Sequence, residues 1–195
     1  MSGPERPPAE RDNGAILFTV RIVAGAARGR RLVVPRGDDV RPTSDRVRES
    51  VFNALYSLDD PVDGATVLDL FAGTGALGLE ALSRGAAHVT FVESNRDAVA
   101  ALVSNIDALG FSPQATVTRT DARRWLPSAG EFDIAFLDPP YAFAEWQEVL
   151  ANVSATLAVV ESDRTIEVPA GWGLVRERRY GTTVVQILRS LDSLE

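Results

Sequence analysis

A carboxylate, two prolines and an aromatic ring follow an apolar run in this chain. Asp138-Pro139-Pro140-Tyr141 comes directly after residues 133–137. The first proline has no backbone donor and the second restrains the residue before it, so the chain should leave a strand stiffly. Such a turn could hold a carboxylate and a backbone carbonyl against an amino group while the tyrosine stacks on the base that carries it. Taken alone, the tetrapeptide is equally typical of an ordinary turn with a half-buried tyrosine.

Three further acids lie at or next to the ends of predicted strands, namely Asp69, Glu93 and Asp121. The carboxyl ends of parallel strands meet at one edge of a sheet, and α/β proteins bind ligands there. We therefore expect these acids to lie near Asp138. An acid after the second strand commonly holds ribose hydroxyls, and Asp121 could receive an adenine amino group. Solvated strand ends also favour acids, so each position alone is weak evidence.

A glycine-rich turn follows the first of these acids. Residues 73–78, with the sequence GTGALG, match G-x-G-x-x-G, and Glu93 comes 20 residues after Gly73. Glycines allow a ligand to approach the backbone closely. The motif leaves a nicotinamide-dependent oxidoreductase open as an alternative. Asp69 counts against it, because a carboxylate four residues before Gly73 suits an amino group better than a pyrophosphate.

Strands and helices alternate from Ala65 onward and would position these residues. Apolar runs predict strands at residues 66–71, 88–92, 116–118, 134–137, 157–160, 174–180 and 183–188. Helices are predicted from residue 43 or 44 to about 57, at 76–84, at 96–109, through Trp125, and at 145–153. The economical fold is α/β: a doubly wound, mostly parallel, seven-stranded Rossmann-like sheet whose last strand is antiparallel.

Positive charge is concentrated near the N-terminus of a chain whose net charge is −7. Residues 18–48 contain eight arginines and three acids, and the chain has no lysine. Residues 18–40 are predicted to form a β-hairpin extension that carries arginines beyond the globular body. Arginine suits phosphate because its planar fork donates two hydrogen bonds at once. This segment predicts a nucleic-acid-binding face, with a solvated arginine-rich loop as the alternative.

Composition excludes several classes of protein. Without cysteine there is no disulfide and no thiolate metal site, and the single histidine, His88, excludes a His-rich cluster. No apolar run is long enough to cross a bilayer, and the N-terminus has no apolar signal region. We therefore expect a cytoplasmic protein with neither a metal nor a membrane partner. Residues 1–17 are rich in proline and charge and are predicted to be a disordered tail.

These motifs together resemble the class I S-adenosylmethionine-dependent methyltransferases. More narrowly, the chain is similar to the bacterial 16S rRNA guanine-N2 methyltransferases of the RsmD type. The resemblance runs from Arg21 to about Leu188. It is carried by residues 21–25 (RIVAG), 28–30 (RGR), 41–49 (RPTSDRVRE), 69–75 (DLFAGTG) and 138–141 (DPPY).

The resemblance implies transfer of a methyl group from S-adenosylmethionine to the exocyclic N2 of a guanine in 16S rRNA, within the small ribosomal subunit or its precursor. The implied catalytic residues are Asp138, Pro139, Pro140 and Tyr141. The implied cofactor-binding residues are Thr43, Arg46, Asp69, Phe71, Ala72, Gly73, Thr74, Gly75, Glu93, Ser94, Asn95, Asp121, Ala122 and Asp138. The RNA-binding residues would be Arg21, Arg28, Arg30, Arg31 and Arg41, and the methyltransferase domain would span residues 41–195.

Two further alternatives remain open beside guanine methylation. Adenine-N6 methyltransferases of nucleic acid use the same machinery, and acidic versions of the Asp138 motif occur among them. Guanine is favoured because a carboxylate accepts hydrogen bonds from both N1–H and N2–H2 of that base. A non-catalytic RNA-binding role is the second alternative, and an Asp138→Ala variant with full biological effect would support it.

Overall fold

The computed structural model describes residues 20–35, 44–58 and 62–192. The predictions for the 1–17 tail, for Arg41 and Thr43, and for the outer ends of the hairpin lie outside these ranges. Within the described ranges, no helix has the length and apolarity needed to cross a membrane.

Seven strands form one sheet in the order β3-β2-β1-β4-β5-β7-β6. Their bounds are β1 Thr66–Leu70, β2 His88–Glu93, β3 Ala115–Arg119, β4 Phe132–Leu137, β5 Ala155–Ser162, β6 Trp172–Tyr180 and β7 Thr183–Ser190. The strands β1 to β5 pair in parallel, and β7 is antiparallel to both of its neighbours, β5 and β6. The predicted sheet, with its antiparallel last strand, is confirmed.

The described residues also form five α-helices, of which α1 precedes β1 and the other four lie between strands. Their bounds are α1 Ser44–Ser57, α2 Ala76–Ser83, α3 Arg96–Leu109, α4 Ala122–Trp125 and α5 Trp146–Asn152. Residues at the two ends of α3 determine where this helix begins and where it ends. The Asn95 side chain accepts hydrogen bonds from the Asp97 and Ala98 amides, and Gly110 takes a left-handed conformation with φ 78°.

The central strands are buried on both faces of the sheet. On one face, apolar side chains of α1, α2 and α3 pack against the sheet, including Phe52, Leu79 and Leu102. On the other face, α4 and α5 contribute residues such as Ala122 and Leu150. Helices on both faces explain why the strands read as continuous apolar runs rather than as alternating ones.

Residues 20–35 pack against the helices and do not project from the body as the sequence suggested. Arg21 and Arg31 form an isolated antiparallel bridge, and the Ile22 amide donates to the Arg30 carbonyl at 3.0 Å. The described part of the segment contains no regular strand. Ile22 and Leu32 are buried in the core cluster that also contains α2 and α3. Apolar side chains on this short segment would otherwise be left in water, so the segment folds back.

Three polar side chains of α2 and α3 anchor this N-terminal segment. Glu80 accepts hydrogen bonds from the amides of Val23 at 2.7 Å and Ala24 at 3.0 Å. The Ser83 hydroxyl accepts from the Ala27 amide at 2.9 Å. Asn105 exchanges two hydrogen bonds with the backbone of Val33, at 2.7 and 3.1 Å. The contact with α2 is so close at Gly25 that an added Cβ would lie 1.7 Å from the Ser83 carbonyl oxygen.

Candidate active site

The strands β1 and β4 are neighbours at the point where the strand order reverses. The helix after β1 packs on one face of the sheet and the helix after β4 packs on the other, which opens a crevice at the carboxyl ends of the strands. The register pairs Leu70 with Leu137. Phe71 and Asp138 therefore leave the sheet side by side, at the mouth of this crevice.

The turn after β1 holds an unusual backbone conformation. Phe71 has a positive φ of 68°, and it is the one non-glycine residue with positive φ in the described part of the chain. A bulky residue in this region is strained, and such strain commonly lies at functional sites. The following amide, that of Ala72, donates to the Val92 carbonyl of β2 at 3.0 Å and fixes the turn against the sheet.

An aromatic cluster joins this turn to the one after β4. The Phe71 ring packs edge-on against Phe143, with centroids 5.2 Å apart, and Phe143 packs edge-on against Trp146 at 5.0 Å. The Phe143 amide also donates to the Pro140 carbonyl at 2.9 Å. Phe143 thus supports both turns of the site. Sequence reasoning missed it, although an aromatic two residues after Tyr141 was a visible signal.

The three glycines of the G-x-G-x-x-G motif have different structural roles. An added Cβ at Gly75 would lie 2.4 Å from the Leu102 side chain, and one at Gly78 would lie 2.3 Å from the Phe91 ring. These two glycines let α2 approach α3 and the sheet. Apart from its chain neighbours, no described residue has an atom within 4 Å of the position of a Cβ at Gly73, which has φ 54°. Gly73 therefore faces open space at the crevice and leaves room for a ligand.

Glu93 organises the crevice from the end of β2. Its Oε2 accepts from the Gly73 amide at 2.8 Å, and its Oε1 accepts from the Asn95 amide at 2.7 Å. Both carboxylate oxygens are thus fixed in position by backbone donors. The Ser94 hydroxyl also donates to Oε1 at 3.4 Å. The Oε2 atom retains a lone pair, which could accept a hydrogen bond from a hydroxyl group.

Asp69 is a buried carboxyl group with an altered affinity for protons. Its Oδ2 accepts from the Gly78 amide at 2.8 Å, and the residue is 2% exposed. Burial raises the pKa of Asp69 from 3.8 to about 8, against the lowering effect of the Gly78 hydrogen bond. The negative charges of Asp138 and Glu93 raise this pKa further. A cation in the crevice would offset the cost of burying a charged Asp69 and the repulsion among the three carboxylates. The three acids together therefore favour a positively charged group.

Two of the predicted polar residues also cap helices. Asn95 caps α3, and Asp121 caps α4 through bonds from the Arg123 and Arg124 amides to its Oδ1. The other oxygen of Asp121, Oδ2, takes no hydrogen bond from any described residue and is available to an amino group. Ala122, the first residue of α4, is buried at the base of this corner.

The four residues of the Asp138 motif differ in their exposure to solvent. Asp138 is half-buried, Pro139 is buried and Pro140 is exposed. Tyr141 is 38% exposed, and its hydroxyl lies 3.5 Å from the Thr183 hydroxyl of β7. One end of the ring is thus held by the sheet, while part of its surface faces solvent.

The predicted RNA-binding arginines differ in their surroundings. Arg21 pairs with Asp45 at 3.2 Å, and Arg30 donates to the Ala108 carbonyl of α3 at 2.7 Å. Arg28 and Arg31 are exposed, as is Arg46 on α1. Part of the predicted basic surface is therefore engaged in attaching the N-terminal segment to the body.

Comparison with known proteins gives this arrangement its context. A family model described as Conserved hypothetical protein 95 matches residues 20–189. The chain is 37% identical over 179 residues to ribosomal RNA small subunit methyltransferase D of Escherichia coli K12, covering 86% of this chain and 88% of that protein. The protein of the same name from Haemophilus influenzae is 36% identical over 175 residues, or 83% and 89% of the two chains. The chain belongs to the RsmD family of methyltransferases.

Solved structures agree with membership of the RsmD family. The structure of yhhF from Escherichia coli matches with a TM-score of 0.78 and 37% identity, over 88% of this chain and 98% of that one. A weaker similarity, 33% over 82 residues, links 41% of this chain to 33% of a tRNA1(Val) (adenine(37)-N6)-methyltransferase from Shewanella halifaxensis. Membership of a methyltransferase family removes the oxidoreductase alternative.

The crevice of this RsmD-family protein has the chemistry that S-adenosylmethionine requires. The open space at Gly73 leaves room beside the backbone. The Asp69 carboxyl could accept a hydrogen bond from the ammonium group of the cofactor. Glu93 could accept hydrogen bonds from the ribose hydroxyls, and Asp121 could accept one from the adenine amine. When bound, the cofactor supplies an electrophilic methyl group on a sulfonium centre. These residues fit the cofactor that methyltransferases of this family use.

Proposed function

We propose that this protein transfers a methyl group from S-adenosylmethionine to the exocyclic N2 of a guanine in 16S rRNA, within the small ribosomal subunit or its precursor in the cytoplasm. The observation that carries the proposal is the position of Asp138. Its carboxylate follows β4 at the mouth of the crevice, one strand away from the glycine turn. Relatives that carry the name ribosomal RNA small subunit methyltransferase D support ribosomal RNA as the substrate.

The Asp138 carboxylate suits guanine because of the polarity of the base edge. Guanine presents N1–H and N2–H2, which are both donors, and a carboxylate accepts from both. Adenine presents N6–H2 beside N1, which is an acceptor and would face the carboxylate with like polarity. The similarity to an adenine-N6 methyltransferase covers 41% of this chain, against 86% for the relative from Escherichia coli. Guanine is therefore the favoured base.

The residues of this site act mainly by positioning the nucleophile. The lone pair of N2 is delocalised into the guanine ring, so the amine is a poor nucleophile in its planar form. Asp138 and the Pro139 carbonyl would accept hydrogen bonds from the N–H groups of this amine. These hydrogen bonds would direct the lone pair of N2 toward the methyl donor. Tyr141, held at its hydroxyl end by Thr183, would stack on the base after the base leaves its helix.

The N-terminal segment is proposed to contact the RNA outside the target nucleotide. Arg28 and Arg31 are exposed on it and could bind phosphates. We propose residues 18–40 as an RNA-binding extension of a methyltransferase domain that spans residues 41–195.

Asp138→Asn tests the proposed role of the carboxylate. The variant keeps the shape of the side chain but replaces one carboxylate oxygen by an NH2 group. This hydrogen-bond donor would face one of the two guanine donors, N1–H or N2–H2. We expect methyl transfer to fall by about 10²–10³-fold, as when one preorganised electrostatic group is lost. Affinity for S-adenosylhomocysteine, measured by calorimetry, should change little. The matched control is Asp133→Asn, at the opposite end of β4, where the carboxylate binds the Thr66 amide at 2.7 Å.

The assay uses S-adenosylmethionine labelled in its methyl group, small ribosomal subunits as substrate, and digestion of the RNA to nucleosides. N2-methylguanosine as the labelled product supports the proposal, and N6-methyladenosine would replace it with the adenine alternative. Full activity in Asp138→Asn would exclude the proposed role of the carboxylate. A protein that binds the subunit but labels no nucleoside would support the non-catalytic RNA-binding role.

A further inference from the structure

A groove of about 260 Å³ runs between α1 and the edge strand β6. Apolar side chains of β7 form its floor, and the polar side of α1 around Asn53 forms one wall. Arg176, Arg178 and Tyr180, which alternate along β6 and so share one face of it, form the other wall. We call this feature the β6 groove.

The β6 groove is basic although the chain as a whole is acidic, with a net charge of −7. Among the residues that the structure describes, no acidic side chain lines the groove. Arg176 donates to the Ser57 hydroxyl at 3.1 Å, which holds its guanidinium beside α1. Among the described residues, neither Arg176 nor Arg178 forms an ion pair with a carboxylate. These two guanidinium groups therefore keep donors available for an anion.

The groove is continuous with the proposed base-binding site. Thr183, Val185 and Ile187 share one face of β7, because alternate residues of a strand point the same way. Val185 and Ile187 lie under the groove, whereas the Thr183 hydroxyl is the one that approaches the Tyr141 hydroxyl. Tyr180 pairs with Thr183 at the end of the hairpin. The floor of the groove thus leads directly to the side chain that would stack on the target base.

We propose that the β6 groove binds the phosphodiester backbone of the RNA strand that carries the target nucleotide, on one side of that nucleotide. This inference rests on the proposed function for the identity of the strand. Residues two apart on a strand are separated by about 7 Å. Arg178 and Arg176 therefore lie at increasing distances from Tyr141 and could each bind one of two successive phosphates. A single strand fits such a tract, because the target base must be unstacked to enter the site.

Protection of the sheet edge is the competing explanation of these arginines. Edge strands commonly carry charged side chains that prevent pairing with other chains. That role would not distinguish the two faces of β6. Arg179 is exposed on the opposite face of the same strand, next to Arg178 in sequence. Substitution of Arg179 by alanine removes the same charge from the same edge and is the matched control.

The test compares Arg178→Ala with Arg179→Ala. Binding of 16S rRNA, transcribed in vitro, is measured at a series of salt concentrations, and methyl transfer is measured on small ribosomal subunits. For Arg178→Ala we expect RNA affinity to fall by about five- to tenfold, as when one ordinary solvent-accessible hydrogen bond is lost. The slope of log affinity against log salt should decrease by about 0.7, the value for one phosphate contact on a single strand. Arg179→Ala should match the wild type in both respects.

Equal effects of the two substitutions, or no effect of Arg178→Ala, would overturn the proposal. Unchanged S-adenosylhomocysteine affinity and melting temperature in both variants exclude a folding defect. The outcome is separate from that of the proposed function. If the wild type methylates no guanine but Arg178→Ala selectively weakens RNA binding, the groove stands and the proposed function fails. If guanine is methylated but the two variants are alike, the groove proposal fails alone.

Discussion

Glu80 allows a quantitative test of how the N-terminal segment is attached. Its carboxylate is fully buried and accepts from two backbone amides of the segment, those of Val23 and Ala24. It also pairs with Arg84 at 2.7 Å and with Arg48 at 3.5 Å. Glu80→Ala would leave these donors without their acceptor inside the protein. We therefore expect a large loss of stability from this one substitution.

The partners of Glu80 differ in how well they could compensate. Arg48 is 2% exposed, but it also donates to Asp45 at 2.7 Å, so its charge stays partly paired. Arg84 is 19% exposed and could turn toward water. The two amides have no such alternative unless the segment opens. Breaking a buried ion pair by removal of one partner costs about 3–5 kcal/mol, and we expect a loss in this range.

Urea unfolding followed by circular dichroism measures this loss, with Glu131→Ala on the exposed surface as control. A domain is typically stable by about 5–15 kcal/mol, so the variant should still fold. Hydrogen exchange should show the amides of Val23 and Ala24 exchanging faster, while β1 is less affected. A loss below about 1 kcal/mol, or unchanged exchange at those two amides, would refute the idea that the Glu80 carboxylate anchors the segment.

Two other predictions concern the crevice itself. The raised pKa of Asp69, about 8 against its usual 3.8, means that the folded state binds one more proton than the unfolded state between these pH values. The contribution of Asp69 to stability should therefore be greatest below about pH 4 and should decline as the pH rises toward 8. Unfolding titrations should show this decline in the wild type and not in Asp69→Asn. Both Gly73 and Gly75 have a positive φ that strains an alanine, but only the Cβ at position 75 would also meet Leu102, so Gly75→Ala should lower the melting temperature more. Gly73→Ala should lower S-adenosylhomocysteine affinity more, because its Cβ would occupy the open space at the crevice. Equal effects of the two glycine variants on stability and affinity would contradict the assigned roles.

Most of the fold could be predicted from local sequence. The bounds of α3 were predicted to the residue because Asn95 and Gly110 mark its ends. The buried strands were recognisable as short apolar runs between turns. The errors lie at strand ends, where β3 continues to Arg119 and β5 to Ser162. Polar residues there pair through the backbone with a neighbouring strand, and a local pattern does not contain that neighbour.

The attachment of the N-terminal segment could not be predicted, because it depends on contacts between residues far apart in sequence. Glu80 and Asn105 stand in helices, where a single polar residue usually indicates the solvent face. Both are buried, since their partners come from a segment more than 50 positions earlier. A buried polar group must find hydrogen bonds, and here backbone groups without regular strand partners supply them.

Asn105 shows how the segment proposed to contact RNA is linked to the turn proposed to hold the cofactor. Its amide nitrogen donates to the carbonyls of Val33 and Thr74, each at 3.1 Å, and its Oδ1 accepts from the Val33 amide at 2.7 Å. Thr74 lies between Gly73 and Gly75 in the turn. The side chain is 2% exposed, so water cannot easily replace these bonds. A movement of the segment at Val33 would therefore break or strain the hydrogen bond from Asn105 to the glycine turn. One buried side chain thus connects the two proposed binding surfaces.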